Sequence, residues 1–413
     1  MATITNNNLK MIDRPVWEQL TNTPASAAAA VACVDDGSRF IYSLFSVTAF
    51  YRYDTWADTW QQLANPPGGT LAAGSCFRYV TEMGSQVNGE VFGSVYALIS
   101  SGTAVVFYRY DIGTNTWSAA LSVANVPAVF GTDGRLHCPE PAINGFAGGY
   151  HSAVALNTIT ASAASIGATS ITVSALPLAL PANAVLNFGT VTAPIWAVTT
   201  AAAAASATSI TVSALVAAVP AASVAYWYAD MFLFGNNATV VYRYNIAANA
   251  WSTTSANSGT PAIAAVTAAP GTGMIACWLP GSGDTNALDR ILLVRGGASA
   301  TIYEYSLTGN SWSTLTYYPN TETFTTGSSS GVTVNSAGKS DKLIIQKEAT
   351  GRCYMFDRKR LRIEPLCTQN LITPGAAVVG DKTAVIKDPS GAINFLYTML
   401  NTSSYYMRTP LAY

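Results

Sequence analysis

An aromatic pair followed at a fixed distance by tryptophan recurs along the 413-residue chain, and this recurrence constrains the fold more than any other feature. It reads Tyr51-Arg52-Tyr53-Asp54 with Trp60, Tyr108-Arg109-Tyr110-Asp111 with Trp117, Tyr242-Arg243-Tyr244-Asn245 with Trp251, and Tyr303-Glu304-Tyr305-Ser306 with Trp312. The first Tyr and the Trp stand nine residues apart in all four copies. A degenerate fifth copy, Tyr354-Met355-Phe356-Asp357, has Ile363 at that distance. Asp58, Asn115, Asn249 and Asn310 lie two residues before each Trp, and such side chains stabilise tight turns by bonding nearby backbone. Each copy is therefore predicted to be a β-hairpin. Alternation along its first strand puts both tyrosines on one face, and Arg with the preceding apolar residue on the other.

Strand-like runs precede the hairpins in pairs: Ala29 to Val34 with Phe40 to Val47, Cys76 to Val80 with Ser94 to Ser100, and Met274 to Leu279 with Ile291 to Val294. A later pair is Val332 to Asn335 with Lys342 to Gln346. Four strands per unit make the blade of a β-propeller. With its Tyr-x-Tyr-Asp plus Trp core, the sequence resembles the kelch-repeat family over nearly the whole chain, although a family-like Gly-Gly pair stands out only at Gly296-Gly297. The resemblance implies a fold and says little about activity.

The last segment offers three strands, Val378 to Ile386, Ile393 to Leu400 and Tyr405 to Arg408, with no Trp strand after them. Trp17-Glu18-Gln19-Leu20 followed by Pro24 mirrors Trp60-Gln61-Gln62-Leu63 followed by Pro66. The N-terminal strand is therefore expected to complete a sixth blade, which leaves no open sheet edge in the array. The expected fold is all-β: a six-bladed kelch-like propeller closed by the N-terminal strand, with a small β insertion in blade three. Blade three is expected to begin at His151 to Leu156 and to resume at Asp230 to Phe234. The division is thus 1–156 and 228–413 for the propeller and 157–227 for the inserted arm.

Within the arm, Ala168 to Leu176 recurs as Ala207 to Leu215 at an offset of 39 residues, and the Ile-Thr-Val-Ser alternation predicts two tandem β-units. Residues 141–229 contain no Asp, Glu, Lys or Arg. A freely solvated arm of that size would carry charges. The arm is accordingly read as a docking element that packs on a partner protein, with Ile171, Val173, Leu176, Trp196, Ile210, Val212, Leu215 and Trp227 as its candidate contact residues.

Composition narrows the function classes. Charged residues make up 10% of the chain and the net charge is −1, so no sequence-wide attraction draws it to nucleic acid or anionic membrane. The polar, Asn-rich start lacks the features of an export signal, and longer apolar stretches such as Ser174 to Phe188 are cut by Pro177 and Pro181, so a soluble protein made in a cytosol is expected. Six cysteines show no C-x-x-C or disulfide-framework spacing and read as buried thiols. His137 and His151 are the only histidines, both in or just before blade three, and no Cys-aromatic arrangement accompanies them, so the two-His, two-Tyr copper site of kelch-like oxidases is not expected; no nucleophile elbow or sialidase-type turn is present. Neither Asp35-Asp36-Gly37 nor Gly281 to Asp284 fills a calcium-loop pattern. Arg52, Arg109 and Arg243 occupy equivalent positions and are expected to pair within or between blades. The basic turn Arg358-Lys359-Arg360-Leu361-Arg362 reads as a solvated hairpin.

The expectation is therefore a protein that is not an enzyme, with no catalytic, metal or cofactor-binding residues. The Ala-Thr-Ser-Ile-Thr-Val-Ser-Ala-Leu units are similar to short β-repeats of tailed-bacteriophage particle proteins. That resemblance implies a virion component in capsid decoration, collar, tail or baseplate, whose partners are other virion proteins and copies of itself. The alternative is a carbohydrate- or protein-binding propeller such as a host-receptor adhesin, in which exposed Trp56, Trp196, Trp227, Tyr317 and Tyr318 stack on glycan.

Overall fold

The computed structural model describes residues 17–25, 31–127, 135–137, 158–160, 162–177, 179–189, 195–225, 227, 230–246, 248–252, 263–278, 290–306, 310–319, 321–324, 329–332, 342–347, 352–368, 383–388, 390, 393–399 and 406–411. These residues form strands and turns and contain no helix. Strand β1 (Glu18–Gln19) precedes blade one, which comprises β2 (Ala32–Asp35), β3 (Phe40–Ser46), β4 (Ala49–Asp54) and β5 (Thr59–Gln62). Blade two is β6 (Cys76–Val87), β7 (Glu90–Ser100), β8 (Val105–Asp111) and β9 (Thr116–Trp117). Blade three opens with β10 (Arg135–His137). Six short arm strands follow: β11 (Thr158–Ile159), β12 (Ser170–Thr172), β13 (Val185–Asn187), β14 (Trp196–Val198), β15 (Ser209–Thr211) and β16 (Val224–Ala225). The blade then resumes with β17 (Asp230–Phe234), β18 (Val241–Asn245) and β19 (Ala250–Ser252).

Blade four is β20 (Ile275–Trp278), β21 (Arg290–Val294), β22 (Ile302–Ser306) and β23 (Ser311–Leu315). Blade five is β24 (Ser329–Val332), β25 (Lys342–Lys347), β26 (Arg352–Asp357) and β27 (Arg362–Thr368). Blade six joins β28 (Thr383–Lys387), β29 (Asn394–Met399) and β30 (Tyr406–Leu411) to β1, with Glu18 opposite Arg408 and Gln19 opposite Met407. The innermost strands β2, β6, β10, β20, β24 and β28 each neighbour the next, and β28 returns to β2. The protein is an all-β, six-bladed propeller whose ring is closed by its N-terminal strand, as the sequence predicts.

Two strands begin elsewhere than expected. The run 151–156 lies outside the described residues, and the partner of β17 is Arg135–His137. Blade five starts at Ser329–Val332 and not at Val332 to Asn335. Ser-Ser-Gly has little intrinsic strand preference, so pairing with β25 decides its conformation.

Alternation along the third strand of each blade explains how the sheets stack. Tyr53 faces back to blade six and meets Tyr406 edge-on at 4.8 Å, while Phe50 faces forward and meets Tyr110 of blade two at 4.9 Å. Phe107 repeats the forward contact on Tyr244 of blade three, also at 4.9 Å. Edge-to-face pairs of this kind add about 0.5–1.5 kcal/mol each beyond the apolar area they bury.

Candidate functional site

Three features could bear function: the joints between blades, the charged side chains of the rim, and the arm with its seat. The joints are built from the repeat residues. Tyr53, Tyr110, Tyr244 and Tyr305 donate their hydroxyls to Asp58, Asn115, Asn249 and Asn310 at 2.6, 2.7, 2.9 and 2.7 Å. The same Oδ1 atoms accept the backbone N–H of Thr21, Ala64, Ser122 and Ala264, which lie on the linkers arriving from the preceding blades, each at 2.9 Å. The carbonyls of those four linker residues accept the indole N–H of Trp60, Trp117, Trp251 and Trp312 at 3.2, 2.7, 2.9 and 2.9 Å. Each linker residue is thus held at both its backbone groups by the next blade.

The Asx residues sit at φ of +52, +53, +47 and +44°, a left-handed conformation that Asp and Asn tolerate better than most residues. In blade five, Leu361 takes the same conformation (φ +51°) without a polar side chain. There the backbone makes the joint: Tyr318 N–H donates to the Leu361 carbonyl at 2.9 Å and Ile363 N–H to the Tyr318 carbonyl at 3.0 Å. The outer tyrosines Tyr108 and Tyr303 are also buried, whereas Tyr51 and Tyr242 are half-buried. Trp17, the counterpart of Trp60 in blade six, is buried beside Met355, Leu396 and Met407.

Among the described residues the charged side chains of the blades are largely paired with one another. Arg52 donates to Gln61 of its own blade and lies 4.3 Å over Phe40, and Arg243 lies 5.0 Å over Phe232. Glu304 stands where other blades carry Arg, and Arg358 of blade five grips it through two bonds of 2.5 and 3.0 Å. Arg360 and Arg362 of the same basic turn pair with Asp357 and Glu364. Asp36 accepts the backbone N–H groups of Ser38, Arg39 and Phe40, so it serves its own turn. For Asp54, burial works upward, but the Arg39 guanidinium and the N–H groups of Trp56 and Ala57 hold the carboxyl below its ordinary range. Burial pushes the Tyr317 phenol up to about 12 and the Cys277 thiol above its usual range. His151 and Gly281 to Asp284 lie outside the described residues. No group of three His, Cys, Asp or Glu among the described residues could hold a metal ion.

The arm departs most from expectation. Its two repeats are not tandem units, because every ladder joins one repeat to the other: β11 with β16, β12 with β15 and β13 with β14. Strands of two or three residues cannot form a stable sheet within one repeat, and interleaving supplies the missing partners. The arrangement is two-fold. Thr160 bridges Val173 as Thr199 bridges Val212, and Ala164 bridges Val219 as Ala203 bridges Leu180. Thr160 Oγ1 donates to the Pro220 carbonyl and Thr199 Oγ1 to that of Pro181, each partner 39 residues from its mate.

Most of the residues named as the candidate docking arm lie inside it. Ile171, Val173, Leu176, Ile210, Val212, Leu215 and Trp227 are buried in a core that runs continuously into Met83, Leu98, Phe107, Leu233 and Trp251 of blades two and three. Only Trp196 among the eight is half-buried, packed toward the blade-three and blade-four cluster. The outer face carries Ser170, Thr172, Ser209 and Thr211, with the two serine hydroxyls 2.9 Å apart. Alternation in Ser-Ile-Thr therefore serves the arm itself: apolar side chains point in and hydroxyls point out.

Blade two provides the seat through its elongated β6–β7 hairpin. The register slips between Val80 and Ser85, and the bulge presents Met83 and Gly84 to the arm. Met83 bridges Ala184, Gly84 N–H donates to the Asn183 carbonyl at 2.9 Å, and Gln86 reaches the Ala214 carbonyl at 3.3 Å. A Cβ on Gly84 would fall 1.7 Å from the Phe92 carbonyl oxygen, so only glycine fits.

The fold and site together define a closed propeller that carries an interleaved, charge-free β arm. No family model and no curated protein matches the chain. Among solved structures it is similar to an auxiliary nutrient binding protein from Bacteroides ovatus, with 9% identity over 95% of this chain and 73% of that one and a TM-score of 0.46. It is also similar to a protein of unknown function from Bacteroides thetaiotaomicron, with 7% identity, coverage of 96% and 76%, and a TM-score of 0.45. A chain of the mitotic checkpoint complex shows 10% identity, coverage of 97% and 96%, and a TM-score of 0.39.

Proposed function

We propose that the protein is a non-enzymatic structural component of a tailed-phage particle, with a kelch-type propeller as rigid platform and the arm as docking element. It works in the virion after synthesis in the host cytoplasm, contacts other virion proteins and copies of itself, and uses no cofactor. The carrying observation is the arm: a stretch without formal charge, fixed to a rigid ring by main-chain pairing at Met83 and Gly84. An element held this firmly presents its hydroxyl-rich face in one orientation, which suits assembly geometry more than a flexible tether would. Mass spectrometry of purified particles tests the reading. The protein is expected among the particle proteins, at hundreds of copies for capsid decoration or a dozen or fewer for a tail or collar position. Its absence from particles would reject the proposal.

A second reading, a glycan- or protein-binding module such as a host-receptor adhesin, draws support from Trp56. This ring is 50% exposed and stacked by Arg39 at 4.6 Å, so its outer side is free to meet a sugar. Tyr318 is 73% exposed. Trp227 and Tyr317 are buried and cannot serve. Micromolar binding on a glycan array, lost in Trp56→Ala, would favour this reading over the first.

A further inference from the structure

The two-fold relation within the arm creates two equivalent edges, and among the described residues the propeller pairs with only the first. At the first, Asn183 and Ala184 receive blade two: the Asn183 carbonyl accepts from Gly84, and Ala184 is buried against Met83. The residues 39 positions on are Ala222 and Ser223. Their internal bonds reproduce those of the first edge. Asn183 N–H donates to Thr199 O as Ala222 N–H donates to Thr160 O, and Thr199 Oγ1 accepts from Ala184 N–H as Thr160 Oγ1 accepts from Ser223 N–H. Even the left-handed backbone is shared, at φ +66° for Asn183 and +59° for Ala222. Yet Ala222 is exposed, Ser223 and Val224 are half-exposed, and no described residue donates to the Ala222 carbonyl.

We propose that this second edge, Ala222 to Val224, pairs with the same edge of a second copy of the chain, antiparallel across a two-fold axis. The inference rests on the assembly reading above and names one of its contacts. The first edge shows which chemistry this backbone accepts: a strand segment, Met83 and Gly84, bonded through main-chain groups. Edge strands are usually guarded against self-pairing by lysine or other charges, and residues 141–229 have none. Ala, Ser and Val are small and neutral, so two copies meet without repulsion, and an isologous contact removes both open edges at once.

Sedimentation velocity of the full chain, from about 1 to about 100 μM, provides the test. The unaltered protein is expected to pass from monomer to dimer across this range. Ala222→Lys brings an ammonium group from each copy to the shared edge and should weaken the dimer at least about tenfold. Ala222→Asn, which copies Asn183 and suits the left-handed backbone, should keep it. Circular dichroism and melting temperature identify any variant that merely misfolds. A chain that stays monomeric throughout, or a dimer that Ala222→Lys leaves intact, overturns the proposal. Either result leaves the particle reading standing, because that reading is decided by the protein's presence in particles.

Discussion

At the residue scale, the ring depends on a few acceptor atoms. Asn115 Oδ1 receives one bond from Tyr110 and one from the Ala64 N–H, and its residue occupies a left-handed backbone. Asn115→Ala should therefore cost about 2–3 kcal/mol, from two net hydrogen bonds and the backbone penalty. Asn115→Asp and Asp58→Asn should change little, since blade one already uses Asp in the same place. Denaturant unfolding of the three variants checks the order. The tyrosines of these joints also set an alkaline limit. Burial raises the phenol pKa of Tyr53, Tyr110 and Tyr244 above the usual range, and the Asp58 bond reinforces it for Tyr53. Unfolded tyrosine ionises near pH 10, so their contribution is complete below that pH and declines as pH rises past it. Tyrosinate absorbance from these residues should appear together with the loss of near-ultraviolet dichroism; ionisation well before unfolding would contradict their burial. The tyrosines, Asx residues and tryptophans were legible because hairpin spacing is local. Their latching role was not, because Thr21, Ala64, Ser122 and Ala264 contribute only backbone groups that any residue possesses.

At the scale of elements, the arm and its seat depend on one another. Gly84→Ala drives a Cβ into the Phe92 carbonyl, so the bulge must shift and the bond to Asn183 must break. Proteolysis within residues 158–225 should become faster while the ring retains its melting behaviour; an unchanged digestion pattern would show that the seat does not hold the arm. Deleting the arm is expected to be more damaging, since its core is continuous with Met83, Leu98 and Trp251. Much of this element could be read in advance: the repeat, its offset, its strands and its lack of charge. The side on which its apolar residues lie could not. Ser-Ile-Thr alternation fixes that one face is apolar, but which face is covered, and by what, depends on a strand 39 residues away. The start of blade three was hidden for a related reason. Arg135–His137 is too short for a periodic signal and becomes a strand through its pairing with Phe232 to Phe234.

At the scale of the whole molecule, closure among the described residues is a two-residue ladder between β1 and β30, reinforced by Leu20 N–H donating to the Tyr406 carbonyl and by Arg408 donating to Glu18 at 2.7 Å. Removing residues 1–20 would expose the β30 edge, uncover Met355, Leu396 and Met407 beside Trp17, and take away the whole outer strand of blade six. A lower melting temperature and concentration-dependent aggregation are expected by calorimetry and light scattering. A truncated chain with the melting temperature of the intact one would mean that β1 does not lock the ring. This closure was readable from the likeness of Trp17 to Leu20 and Trp60 to Leu63, because the two segments solve the same packing problem in different blades. Under the proposed function, a rigid six-bladed ring carries a neutral arm into contact with another protein molecule. An electron cryo-microscopy map of the assembled particle measures this most directly. It should show six four-stranded sheets in a closed circle, the arm seated on blade two at Met83 and Gly84, and the outer side of the arm covered by a neighbouring subunit. An open ring, or an arm surrounded only by solvent in the assembled state, would contradict it.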